Sequence, residues 1–261
     1  MIGIELLSEN TRIWLEEKNL EGKALRRFVT KRLEVPRYTR IRKKPWEPSE
    51  GTRFATGDDI EKISNAVRTA YGSTLGEEYV ALSRLEGHIR ANEIVRASGY
   101  EPAFCCIREK SPGQLVFLMA EIRRYKKTPK EHFDIEYFWI YNWVSTIADD
   151  SVAPIAILKD LRSFYGHLCS RAKRPLNLRA RTHQKTSFRI RDRIRRTFER
   201  ELARRGMEST FELAVRKRKD ENIYLTMNNS LNQELDAARR KERAAAAQEV
   251  SEAEQPDRRF A

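Results

Sequence analysis

The longest apolar stretch of this chain lies at its middle, from Phe133 to Leu168, and the flanking segments are far more polar. Its first half, 133–146, is dense in aromatic and β-branched residues and predicts a long buried strand. Asp149, Asp150 and Ser151 then offer helix-capping side chains, and Pro154 falls where a first helical turn tolerates proline. Ile155, Leu158, Leu161 and Tyr165 recur at helical spacing. The pattern thus joins a strand, a short loop and a helix at the centre of the chain.

The flanking pattern supplies the other elements. Residues 9–33 have helical composition, broken by Val35-Pro36, and Pro45, Pro48 and Gly51 mark a linker. Gly57, Asp58 and Asp59 can cap a helix whose face carries Ile60, Ile63, Val67 and Tyr71 or Ala70. The stretch 72–76, with a glycine at each end, is expected to interrupt it. A second helix over 77–97 carries Val80, Leu82, Leu85, Ile89 and Ile94, and Gly99 closes it. Strands are expected at 102–108 and 115–125 around a five-residue loop, with a polar connection, KKTPKEH, leading to the central strand.

Past the central helix, Leu176, Leu178 and Ala180 alternate with polar residues, which predicts a strand with one buried face. A helix follows from Thr186 or Ser187, with Phe188, Ile194, Phe198 and Leu202 on its apolar side. Residues 210–215 and 223–227 read as short final strands. The order predicts an α/β fold: a mixed, mostly antiparallel sheet flanked by helices, with one strand–helix–strand crossover. Residues 1–53 form a helical basic N-terminal arm and linker, 54–230 the α/β domain, and 231–261 a charged tail too poor in large apolar residues to stay ordered.

Charge sharpens this picture. The net charge is +13, and residues 171–219 alone hold eighteen Lys and Arg against five acids. Residues 23–44 add ten basic side chains against Glu34. Acidic partners are therefore expected: nucleic acid, an anionic membrane surface or a phosphorylated ligand. No apolar run is long enough for a membrane span, and the first residues lack the pattern of a secretory signal. Three cysteines and four scattered histidines give neither a disulfide framework nor metal-ligand spacing, so a cytoplasmic protein without a metal is expected.

The element order over roughly 54–228 resembles the GNAT superfamily of N-acyltransferases. In that family the helix after the fourth strand begins at a glycine-containing loop whose amides hold the pyrophosphate of acyl-CoA. Here Trp143, Val144 and Ser145 would end the strand, and residues 150–154 would occupy the loop without either glycine. The resemblance implies acyl transfer from acetyl-CoA or another acyl-CoA to an amine. It assigns Ser151, Val152 and Ala153 to the pyrophosphate, with Val144 beside the donor, and Lys159, Arg162 and the basic residues at 171–174 to the 3′-phosphate. Asp134 and Glu136 share a strand face, and Glu136, the deeper one, is the expected general base. Ser187 or Cys169 would protonate the departing thiolate.

Other readings of the same residues stand beside these. Asp149, Asp150 and Ser151 make an ordinary helix cap, Glu136 can pair with an arginine from a neighbouring strand, and the aromatic run 137–143 can be core. Cys105 and Cys106 read as small apolar fillers, and His88, His132, His167 and His183 as structural or surface residues. The alternative function is polyanion or nucleic-acid binding on the helix 189–205. Arg189, Arg193, Arg195 and Arg196 would contact phosphates there, unless Arg195 pairs with Glu199 along the helix. An acyltransferase-like fold kept only for interactions is a third reading.

Overall fold

The computed structural model describes residues 3–32, 35–42, 44–79, 82–128, 131–147, 152–182, 188–207, 211–217 and 223–229. In chain order its elements are α1 (Glu9–Glu17), α2 (Gly22–Arg32), β1 (Thr52–Phe54), α3 (Ile60–Tyr79), α4 (Leu82–Ala97), β2 (Ala103–Ser111), β3 (Gln114–Thr128), β4 (Glu131–Ser145), α5 (Val152–Ala172), β5 (Asn177–Thr182), α6 (Phe188–Ala203), β6 (Phe211–Lys217) and β7 (Ile223–Asn229). The seven strands form one sheet in the order β1-β2-β3-β4-β5-β7-β6. All pairs are antiparallel except β4 with β5, which α5 connects as a crossover. The expected mixed α/β architecture is therefore the one observed, while the tail 231–261 lies outside the described residues.

Several local expectations differ. The helix expected over 9–33 is two helices, because Asn19 adopts a left-handed conformation between them (φ 52°). The stretch 72–76 does not interrupt α3, which runs on to Tyr79; a helical glycine costs roughly 1 kcal/mol and does not forbid the helix. The β2–β3 loop tightens to Pro112-Gly113, with Gly113 at φ 79°, where a proline–glycine turn places its left-handed residue. The polar connection before β4 is the end of a long hairpin, with Lys126 opposite Asp134 and Thr128 opposite Glu131. Polarity hid these strand ends because strands need an apolar face only where something covers them.

Successive side chains of a strand point to opposite faces, so neighbouring residues serve different cores. On one face Phe104, Cys106, Val116, Leu118 and Phe138 pack against Ile157, Leu161, Phe164, Tyr165 and Leu168 of α5 and Phe198 and Leu202 of α6. On the other, Cys105, Ile107, Leu115, Phe117 and Met119 pack against Ile63, Val67, Leu85 and Ile89 of α3 and α4. Each large apolar side chain buried this way contributes about 1.5–3 kcal/mol. The adjacent cysteines thus fill two different cores, and burial raises both thiols well above the ordinary cysteine range.

Residues of the N-terminal segment join this body through two buried carboxylates. Glu93 of α4 accepts hydrogen bonds from Ser8 N, Ser8 Oγ (3.0 Å), Thr11 Oγ1 (2.7 Å) and Gly57 N (2.9 Å). A Cβ at Gly57 would overlap Thr11 Oγ1, so only glycine admits α1 here. Glu101, fully buried, accepts from Trp46 N (2.8 Å) and Arg171 Nη1 (3.0 Å), with His167 Nε2 at 3.2 Å and Arg96 Nη1 at 3.8 Å. Trp46 itself packs among Phe54, Phe104 and Phe164.

Candidate functional site

The parallel pair β4 and β5 is in register only from Tyr137↔Asn177 to Ile140↔Ala180. Beyond it β4 continues five residues to Ser145 and β5 two residues to Thr182, and among the described residues no pairing joins them. Just past the last pair the register against β3 jumps from Ala120↔Ile140 to Met119↔Asn142, so Tyr141 is an extra residue on β4, a bulge that bends the strand. Among the described residues, the edge of β4 from Tyr141 onward has no strand paired with it on the β5 side. Backbone groups on such an edge seek a partner, and an extended ligand carrying amides can supply one. This edge lies at the carboxyl ends of two parallel strands, the usual crevice of α/β sheets.

Val144 lies on this edge, but its side chain is buried on the α3 and α4 side, leaving only its backbone for a ligand. Val152 begins α5 and is exposed, and Ala153 is buried beneath it. Asp149, Asp150 and Ser151 lie outside the described residues, as does Ser187. Val152, Lys159 and Arg162 come together in a cavity of about 700 Å³ along α5. Arg108 lines it too, with Arg204 and Arg205 just past α6; of its acids, Asp160 binds Ser49 and Glu201 pairs with Arg205, while Glu50 is exposed.

Glu136 faces α5, on the same side as Phe138, and is 7% exposed. Its Oε2 accepts from Arg174 Nη2 at 2.7 Å, so an arginine does pair with it, but from the loop before β5 and not from a neighbouring strand. Cys169 is buried, its thiol pushed up to about 12 by burial, and its sulfur accepts from Leu176 N at 3.3 Å. Arg189 and Arg193 lie on α6, but their side chains are outside the description. Arg195 pairs with Glu199 at 3.0 Å, and Arg196 is exposed.

The opposite side of the same strands carries a polar row that sequence inspection missed. Register aligns Glu121 of β3 with Trp139 of β4 and Trp139 with Arg179 of β5, one pair before that pairing ends. The guanidiniums of Arg123 and Arg179 lie over the Trp139 ring, 4.4 and 5.1 Å from its centroid. Glu121, 1% exposed, bonds Arg123 and lies 3.5 Å from His88 Nδ1 on α4. Burial opposes its charge, but His88 and Arg123 outweigh that and hold its carboxyl below the usual carboxylate range. Asn92, one helical turn after His88, is 0% exposed, and neither polar atom of its amide has a hydrogen-bond partner. The signal in the sequence is a lone glutamate inside LVFLMAEI, an otherwise apolar strand.

Among the described residues no His, Cys, Asp or Glu group is placed to hold a metal, and no helix is long and apolar enough to cross a membrane. No family model matches the sequence, and no curated protein matches it either. Among solved structures the chain is similar to PaiA N-acetyltransferase from Thermoplasma acidophilum, in complex with coenzyme A. The two are 11% identical with a TM-score of 0.37, over 67% of this chain and 96% of that one.

Proposed function

We propose that this protein transfers an acyl group from acyl-CoA to an amine. The observation that carries the reading is the end of β4–β5 pairing at Ile140 and Ala180, with the bulge at Tyr141 just beyond it. A pantetheine arm is a narrow chain bearing two amides, and the edge of β4 can bond it as a further strand would. Its thioester end would then lie near Ile140. Ser151, Val152 and Ala153, at and just before the start of α5, would carry the pyrophosphate, since the positive end of the helix dipole favours an anion there. Pro154 supplies no amide, so those three residues carry that role. Lys159 and Arg162, joined by one cavity, suit the 3′-phosphate. Ser187 would return a proton to the thiolate. Glu136, the base expected from sequence, would first have to release Arg174.

The test is calorimetric titration with acetyl-CoA and a longer acyl-CoA at two salt concentrations. Saturable one-to-one binding that survives moderate salt supports the reading. Binding that is absent, or that vanishes with salt as a simple polyanion contact does, overturns it. The rival reading, polyanion binding, is favoured by the exposed Arg196, Arg200 and Arg204 at the end of α6. A single-stranded oligonucleotide titrated in parallel separates the two.

A further inference from the structure

We propose that the α6 end of the α5 cavity is a site for a phosphate monoester, and that through it the protein selects donors carrying a 3′-phosphate. The inference rests on the acyl-transfer reading. It adds Glu201 and Arg204 to the site and a rule for which thioesters are accepted. Glu201, buried near the end of α6, gathers three guanidiniums: Arg205 Nε at 2.9 Å, Arg162 Nε at 3.4 Å and Arg204 Nη1 at 3.7 Å. Arg205 also donates to Ser170 Oγ and to Ser163 O, both at 3.3 Å, which ties this end of the chain segment to α5. A Cβ at Gly166 would overlap Arg205 Nε and Glu201 Oε1, so glycine there admits the pair against α5.

The cluster lines the same cavity as Val152 at the start of α5. Five cations border that cavity against three carboxylates, an excess of two positive charges. A phosphate monoester carries about −1.5 to −2 near neutrality, so one such group balances the excess where a diester would meet only half of it. Lys159 stands two helical turns along α5 from Val152, and helical side chains lean back toward the N-terminus, so it bridges the pyrophosphate end and the cluster. Lys159, Arg162 and Arg204 would hold the monoester by charge-assisted hydrogen bonds, with Glu201 and Arg205 as positioning residues. A donor without the 3′-phosphate leaves the excess unanswered in a partly enclosed site, where charges are screened less than in open water.

The test is calorimetric titration of the full chain with acetyl-CoA, with 3′-dephospho-acetyl-CoA and with inorganic phosphate, at one moderate salt concentration. The dephospho donor is expected to bind about 10- to 100-fold more weakly, the worth of hydrogen bonds to a charged group. Lys159→Gln should narrow that ratio by weakening acetyl-CoA alone. Gly166→Ala, which displaces Glu201 and Arg205, should narrow it as well, whereas a merely structural role would weaken both donors alike. Should Gly166→Ala fail to fold, Lys159→Gln, on an exposed residue, carries the test. Inorganic phosphate is expected to compete with acetyl-CoA and to leave the dephospho donor unaffected. Equal affinity for the two donors overturns the selection and leaves the donor reading standing. A ratio unchanged in both variants overturns the site. Phosphate that binds together with acetyl-CoA marks a site for free phosphate and overturns its assignment to the donor. Wild-type protein that binds neither donor removes the donor reading and this inference with it.

Discussion

On the α5 side of the sheet, Phe104, Phe138 and Phe164 pack ring against ring, and two of the polar groups among them are matched: Tyr165 Oη donates to Leu176 O at 2.6 Å and Glu136 holds Arg174. On the α4 side of β3 and β4 sit a carboxylate, an imidazole, two guanidiniums and an unpartnered amide. One face is dominated by packed rings. The other buries an amide, Asn92, that has no hydrogen-bond partner. Folding alone does not favour that arrangement, since a buried amide without a bond costs about 1–3 kcal/mol. Natural chains tolerate such costs mainly at functional sites.

The largest effect should come from breaking the face of packed rings. Phe164→Ala is expected to lose about 3–5 kcal/mol by denaturant unfolding, because the rings around it cannot close the gap. Next, Glu136→Gln removes the charge-assisted bond to Arg174 and should cost roughly 1–3 kcal/mol, and transfer should fall sharply if Glu136 is the base. Turnover kept in a folded Glu136→Gln protein would remove that role.

Asp59 gives a smaller effect with a sign fixed by pH. Burial opposes its charge, yet Arg53 at 2.6 Å and the Thr56 amide hold its carboxyl below the ordinary range. A group lowered in the folded state contributes stability above its unfolded value and loses it as pH falls through the folded one. Asp59→Asn should therefore cost about 0.5–2 kcal/mol near neutrality, the scale of a helix cap, and less in acid. Thermal melts across pH 2–7, a window bracketing the carboxylate range, would check it.

The sharpest contrast is Asn92→Leu. Filling an unpartnered amide's place with an apolar group of similar size should leave stability within about 1 kcal/mol or raise it. A loss well beyond that would make Asn92 part of the core and erase the contrast between the faces. The smallest effect is expected from Arg196→Gln, within about 0.5 kcal/mol in stability. It should flatten the salt dependence of oligonucleotide binding only if α6 holds phosphates.

The central strand and helix were legible because their apolar residues recur without interruption, and the crossover followed from element order. β1 was not, since three residues carry no periodicity and only the partner β2 defines them. The bulge at Tyr141 was equally hidden: it is a fact of register with β3, and a single strand has no register. Glu136 stood out because it is flanked by aromatics, and its arginine partner was foreseen as a type of contact. His88 and Glu121 lie 33 positions apart and became neighbours only once α4 packed on β3. Glutamate in an apolar strand was the one local hint of that face.

The four groups around Glu101 also have a practical meaning for how the chain can be cut. Its donors come from the segment before β1, from α4 and from α5, so one carboxylate knots three distant stretches into a single cooperative unit. Trimming the chain at Gly51, where the linker invites it, would strip Trp46 from that knot and open the aromatic cluster beneath. A shortened version designed on domain boundaries alone should therefore melt in one early step rather than shed a spare arm.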